Sequence, residues 1–280
     1  MFSIVIPAFN EEAVIGRCLG SLLAGSEPGE LEVVVVCNGC SDNTAEVARG
    51  FGPTVVVAET PVASKWQALN MGDRIAAAFP RLYMDADVVL TYPDARLVAQ
   101  ALRSEALAAS PALRLDTTDS SWVVRSHLRI WAQLPVIKHG LMGRGVYGLS
   151  TGGRSRFAEF PDLVADDHFV HHLFNADERL VVEQAISVVQ GPRRLRDLLR
   201  RKTRSYVGLM EARDRGQPNK GVVGSSFDWL AVIRTDPSRI IDLPAYLGVS
   251  LTAKLWARRE VALGRAEEWG RDHSTRGSSA

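Results

Sequence analysis

Cysteine is scarce in this chain: Cys18, Cys37 and Cys40 are the three among 280 residues. Three thiols build no disulfide framework, so the fold must rest on an apolar core, and a reducing compartment suits it. Cys37 and Cys40 have the spacing of a redox or zinc pair, but no second Cys or His pair accompanies them, and they read as incidental thiols. Neither sign of charge prevails: 33 Lys and Arg stand against 32 Asp and Glu, a formal net charge of +1. Nothing global therefore points to nucleic acid. The first residues lack the basic flank, apolar segment and cleavage site of a secretory leader, so none is expected. The apolar stretch at 240–256 falls short of the ~20 residues that span a bilayer. What is there, 46% hydrophobic and 23% charged residues with mean hydropathy −0.01, suits a globular chain of one or two domains with a large core.

The apolar residues follow an order. A β-rich run at 2–6 leads to Asn10, which offers a helix cap, and Val14, Cys18 and Leu22 then recur at helical spacing. A second strand is expected at 31–36 and a helix from Ser41 or Asp42. A third strand follows at 54–58, then a helix capped by Ser64 and running to Phe79. The next strand carries Leu82, Tyr83 and Met84 into Asp85-Ala86-Asp87. This alternation predicts an α/β half with a parallel sheet and right-handed crossovers. Ligands of such sheets sit beyond the carboxyl ends of the strands, where Asp85 and Asp87 fall. Two carboxylates two apart on extended chain face one way and suit one hard cation, Mn2+ or Mg2+; taken alone the pair fits a solvated turn as well.

Four segments carry a resemblance: Ile4-Val5-Ile6-Pro7-Ala8-Phe9-Asn10-Glu11-Glu12, Val35-Val36-Cys37-Asn38-Gly39-Cys40-Ser41-Asp42-Asn43-Thr44, Ala68-Leu69-Asn70-Met71-Gly72 and Asp85-Ala86-Asp87. In this order they resemble the family 2 glycosyltransferases of GT-A fold. The resemblance implies a Rossmann-like, mostly parallel sheet flanked by helices. It also implies inverting transfer of a sugar from a nucleotide-sugar, with Pro7, Ala8, Asn10 and Glu11 along the nucleotide, Asn38 at the base, and Asp85 and Asp87 on a diphosphate-bound metal. Many relatives carry Asp where Asn38 stands; an amide accepts a single base N–H more weakly, which tilts the expectation toward a UDP-sugar. Lys65 is placed to reach a phosphate as a point charge, or to remain solvated at its helix start.

Downstream, 92–115 reads as a helix followed by a loop at Ser110-Pro111. The glycine-rich segment 138–148 holds Arg144 and Tyr147, side chains suited to bonding or stacking on a sugar, as expected of an acceptor half. Asp166 and Asp167 open a further helix. They would serve as an N-cap on their own, but the resemblance implies a catalytic pair with Asp167 as general base. In the basic run 193–204, Arg201 and Arg204 are candidates for a phosphate or acceptor; the Gln and Trp of processive relatives are missing there, which argues for transfer of a single sugar. Residues 1–205 are expected to form the GT-A domain, 1–90 its nucleotide-sugar half and 91–205 its acceptor half. Residues 206–271 are expected as a helical C-terminal extension and 272–280 as a disordered tail. The acceptor would be a glycan, a lipid-linked or a small molecule in glycan, polysaccharide or glycolipid synthesis. The expected place is the cytoplasm, with 240–260 lying against the inner face of a membrane. Two alternatives are a sugar-nucleotide nucleotidyltransferase, against which the lack of glycine and basic residues at 7–12 argues, and a silent sugar-binding module.

Overall fold

The computed structural model describes residues 1–163, 165–214 and 227–263, without the side chains of 211–214. The expected alternation is present. Strand β1 (Phe2–Ala8), helix α1 (Glu12–Leu23), β2 (Leu31–Asn38), α2 (Thr44–Arg49), β3 (Val55–Thr60), α3 (Lys65–Ile75) and β4 (Arg81–Met84) follow one another. After them come β5 (Val89–Leu90), α4 (Tyr92–Ser104), β6 (Ala108–Asp116), α5 (Trp122–Trp131), α6 (Pro135–Lys138) and β7 (Val146–Leu149). The remainder is α7 (Thr151–Arg154), α8 (Asp166–Leu173), β8 (Arg179–Gln190), α9 (Leu195–Asp214), α10 (Trp229–Thr235) and α11 (Leu243–Ala262).

One sheet runs in the order β3-β2-β1-β4-β7-β6-β8-β5. The first four strands are parallel, β7 runs antiparallel between β4 and β6, and β8 is parallel to β6. Apolar side chains of β1 and β2 serve both faces: Ile4, Ile6, Val33 and Val35 pack under α1 and α2, whereas Val5, Val34 and Val36 pack under α3. A strand buried on both sides needs such an unbroken apolar run, which is why these elements were readable. Gly72 lets α3 approach closely, since a Cβ there would lie 2.4 Å from Val5 Cγ1.

Several expectations require correction. The helix begun by Ser64 ends at Ile75 rather than Phe79, because the Arg81 guanidinium takes up the Asp73 and Ala76 carbonyls and turns the chain into β4. Ser110-Pro111 is strand: β6 passes through it, and its register against β8 shifts between Pro111 and Ala112, a bulge that accommodates proline. The division at 205 falls inside α9, which continues to Asp214 and packs mainly on α11. The tail 272–280 lies outside the described residues.

Candidate active site

The carboxyl ends of β1, β2 and β4 meet at one edge of the sheet. There Ala8 O accepts the Asn38 side-chain amide at 2.8 Å, so Asn38, buried, ties β2 to the end of β1. Its Oδ1 is enclosed and has no hydrogen-bond partner. Asn10 is not the helix cap: its backbone takes φ +52°, and Oδ1 accepts the Ser41 N–H at 2.8 Å, which locks the loop after β1 onto the loop after β2. Glu11 precedes α1 instead, with its carbonyl accepting the Val14 N–H and its own N–H donated to Thr44 Oγ1.

Strand β4 stops at Met84, so Asp85 and Asp87 stand on a turn closed by Val88 N–H to Asp85 O at 3.2 Å, not on extended chain. Both are half-buried while Ala86 and Val88 between and beyond them are buried, so the turn still presents the two carboxylates on its open side. The Asp85 N–H donates to Gly145 O at 2.8 Å. Gly145 has φ +63°, and a Cβ on it would lie 2.3 Å from Val88 Cγ2. The glycine-rich segment therefore supports the Asp turn by close backbone approach.

Lys65, at the first turn of α3, joins the two halves of the site. Its Nζ lies 2.7 Å from Asp85 Oδ1 and 2.7 Å from Asp166 Oδ1, so these oxygens are no further apart than twice that distance. Burial alone would lower the ammonium pKa, but Asp166 and Asp85 outweigh it and raise it. Tyr147 donates its hydroxyl to Asp166 Oδ2 at 2.8 Å, while its ring stacks on Tyr83 at 5.3 Å. Both oxygens of the buried Asp166 are thus engaged, and burial raises its pKa, with Lys65 opposing and Asp167 adding to the shift. Asp167 differs. It is half-buried and accepts the Gly143 N–H on Oδ2 and its neighbour His168 N–H on Oδ1, each at 2.9 Å. Burial would raise its pKa too, but His168, these N–H groups and Lys65 outweigh it and hold the carboxylate ionised.

Two expected sugar contacts are structural. Arg144 is 2% exposed and spends its guanidinium on the carbonyls of Ile137, Lys138 and Gly140; burial outweighs the opposing charge of Glu183 and lowers its pKa to about 10. Tyr147 is buried and oriented on Asp166, with no face open for stacking. Arg201 and Arg204 lie on α9, in the helical unit with α11 and α5, rather than in the Lys65 cluster. A support that the sequence did not reveal is Asp73, which accepts Tyr83 OH, Arg81 and Arg154 beneath the Tyr83–Tyr147 stack. Its partners come from β4 and α7, the latter remote in sequence, so no local spacing announces it. Among the described residues no group of three or more His, Cys, Asp or Glu side chains could hold a metal by itself. Two half-exposed carboxylates fit a hard dication that takes its other ligands from phosphate and water.

A family model described as glycosyl transferase family 2 matches residues 3–155. A 4,4'-diaponeurosporenoate glycosyltransferase of Staphylococcus aureus is 37% identical over 97 residues, which are 33% of this chain. The matched segment spans only 25% of that relative's length. Among solved structures, the mannosyltransferase PcManGT from Pyrobaculum calidifontis, in complex with GDP-Man and Mn2+, aligns with TM-score 0.62 at 19% identity over 95% of this chain and 79% of its own. Glucosyl-3-phosphoglycerate synthase from Mycobacterium tuberculosis, in complex with Mn2+, UDP and phosphoglyceric acid, aligns with TM-score 0.55 at 19% identity over 75% of this chain and 78% of its own. With the mixed sheet described above and a family match over more than half its length, this chain belongs to glycosyl transferase family 2 and has the GT-A fold.

Proposed function

We propose that the chain is a metal-dependent, inverting glycosyltransferase that moves a single sugar from a nucleotide-sugar, foremost a UDP-sugar, to an acceptor hydroxyl. The observation that carries this reading is the convergence on Lys65 of Asp85, from the turn after β4, and Asp166, from the start of α8. It brings one carboxylate of the Asp85–Asp87 turn and one of the Asp166–Asp167 pair to the same ammonium group.

In this reading Asp85 and Asp87 hold Mn2+ or Mg2+ against the donor diphosphate. The bound metal supplies Lewis-acid stabilisation of the leaving group. Pro7, Ala8, Asn10 and Glu11 form the backbone shelf for the nucleotide. Asn38 Oδ1, enclosed and without a partner, is the acceptor that a base N–H needs. Lys65, freed from Asp85, donates to a phosphate oxygen. Asp167, ionised and half-exposed, takes the proton of the acceptor hydroxyl as its oxygen attacks the anomeric carbon; the bond to the diphosphate breaks on the opposite face and carries away the electron pair. Asp166 orients this arrangement through Lys65 and Tyr147 rather than accepting the proton itself.

The acceptor is a glycan, lipid-linked or small-molecule hydroxyl. On α11, Leu247, Leu251 and Leu255 form an exposed stripe that continues Ile240 and Ile241, the latter 75% exposed, with Arg258 and Arg259 exposed beside its end. No described helix is long and apolar enough to cross a membrane. Such a stripe with basic flanks fits peripheral contact with an anionic bilayer, which flotation with vesicles tests. The domain reading becomes a catalytic GT-A sheet followed by a helical unit that starts with α9.

The decisive assay screens nucleotide-sugars for thermal stabilisation and nucleotide release with Mn2+ or with EDTA. Metal-dependent stabilisation by at least one UDP-sugar is expected. Asp167→Asn should keep that stabilisation and lose about 10²- to 10⁴-fold in turnover. Wild-type turnover in this variant would reject Asp167 as the base. Absence of any metal-dependent response to nucleotide-sugars would reject the whole reading.

A further inference from the structure

The helical unit beside the sheet holds a concentration of charge that sugar transfer does not use. Lys202 on α9 and Lys254 on α11 each place Nζ 5.7 Å from the centroid of the Tyr206 ring. Both lysines are half-buried. Among the described residues, neither has an ion pair or hydrogen bond to a carboxylate. Lys202 shares a helical stripe with Leu198 and Tyr206, which pack on Val124 and Leu128 of α5 and on Val249 and Ala253 of α11. An ammonium placed in this seam is far from the solvation it would have on a free helix face.

The neighbours deepen the problem. Burial pushes the Lys202 ammonium down to about 7, and the positive charges of Lys254 and Arg201 add to the shift. His127, fully buried on α5 and stacked on Tyr246 at 5.2 Å, feels the Lys202 charge. Thr203 Oγ1 and Ser126 Oγ are enclosed without partners. Cations drawn partly out of water gain from a paired anion, and one aromatic ring shared by two ammonium groups does not replace a counter-ion.

We propose that α9 and α11 hold a phosphate group between Lys202 and Lys254 over Tyr206, with Arg201 at the rim, as a second anion site distinct from the Lys65–Asp85–Asp166 cluster. A phosphate suits the site better than a carboxylate does, because its oxygens and its charge of nearly two match two point-charge ammonium groups approaching from different helices. The phosphate has two possible sources, a lipid headgroup whose apolar part follows the Leu247–Leu251–Leu255 stripe of the same helix, or a free phosphate.

The test uses the full chain in EDTA, so that no divalent metal draws phosphate to Asp85. Melting temperature is followed against inorganic phosphate, with chloride at matched ionic strength as the control. A saturable rise specific to phosphate is expected, and Lys202→Met and Lys254→Met should each weaken the apparent affinity at least about tenfold. Without phosphate, Lys202→Met should melt no lower than wild type, because it removes an uncompensated cation; this separates loss of the site from misfolding. A second arm measures co-sedimentation with phosphatidylcholine vesicles with and without phosphatidic acid. Binding that requires phosphatidic acid and falls in both variants identifies the lipid source. A response to inorganic phosphate alone identifies the soluble one. Lysine variants that keep wild-type responses, or a wild type that responds to neither probe, would overturn the proposal.

Discussion

Lys65→Met isolates the electrostatic joint of the site. Methionine retains the length of the aliphatic stem and removes the charge that lies 2.7 Å from both Asp85 Oδ1 and Asp166 Oδ1. The side chains differ in exposure: 43% for Asp85, 36% for Lys65 and 9% for Asp166. Losing the partner of the solvated Asp85 should cost about 0–1 kcal/mol. Asp166 cannot recruit water as freely. Removing one member of a fully buried pair costs roughly 3–5 kcal/mol, and with Lys65 one-third exposed and Tyr147 still donating, a loss of about 1–3 kcal/mol is expected here. The pH dependence provides a second check. Burial already raises the Asp166 pKa, and loss of the ammonium must raise it further. An acid whose folded pKa exceeds its unfolded value binds more protons when folded, so its destabilisation is relieved as pH falls through the window above the unfolded pKa. The deficit of Lys65→Met relative to wild type should therefore shrink between about pH 7.5 and about pH 5, and Lys65→Arg should recover much of it. Urea denaturation of the three proteins at both pH values measures this. A deficit below about 0.5 kcal/mol, or one that grows toward acid, would refute the reasoning.

Three further outcomes follow from packing and burial. His127 is pushed down to about 2 by burial and by Lys202, so the unfolded chain binds a proton that the folded chain refuses from about pH 6.5 downward; stability is lost as pH falls, by roughly 2 kcal/mol from this group at pH 5, and His127→Phe should remove that slope in denaturation titrations. Gly145→Ala places a Cβ 2.3 Å from Val88 Cγ2 at φ +63°, so it should cost about 1–3 kcal/mol and weaken Mn2+ binding, read by the electron spin resonance of the free ion, because the turn that carries Asp85 must move. Gly72→Ala puts a Cβ 2.4 Å from Val5 Cγ1 and should lower stability by roughly 1–3 kcal/mol, with recovery in the double variant that also carries Val5→Ala.

The parallel half of the sheet was legible because strands buried on both faces write their burial as unbroken apolar runs, as in Val33-Val34-Val35-Val36. The Asp85-Ala86-Asp87 motif was legible as a candidate site, but its backbone was not: two aspartates two apart read alike on a strand and on a turn. Arg144 and Tyr147 show the limit more sharply. A basic and an aromatic side chain in a glycine-rich segment look the same whether they meet a sugar or brace a loop, and only the carbonyls of Ile137, Lys138 and Gly140 and the carboxylate of Asp166 decide between the two. Pro111 misled for a local reason. Proline ordinarily ends a strand, yet the register shift beside it removes the need for its missing N–H. Lys65 was recognised as a helix-start lysine near the site, whereas its second partner, Asp166, is remote in sequence and only the folded sheet brings it near.

The central claim is that the Asp85–Asp87 turn and a divalent metal together hold a nucleoside diphosphate. Calorimetric titration of UDP into the protein with Mn2+ and with EDTA tests it most directly, using wild type, Asp85→Asn and Asp87→Asn. The account predicts that binding in the presence of Mn2+ weakens by about 30-fold or more when either the metal or one of these carboxylates is removed. UDP affinity that is indifferent to Mn2+, or unchanged in both variants, would contradict it.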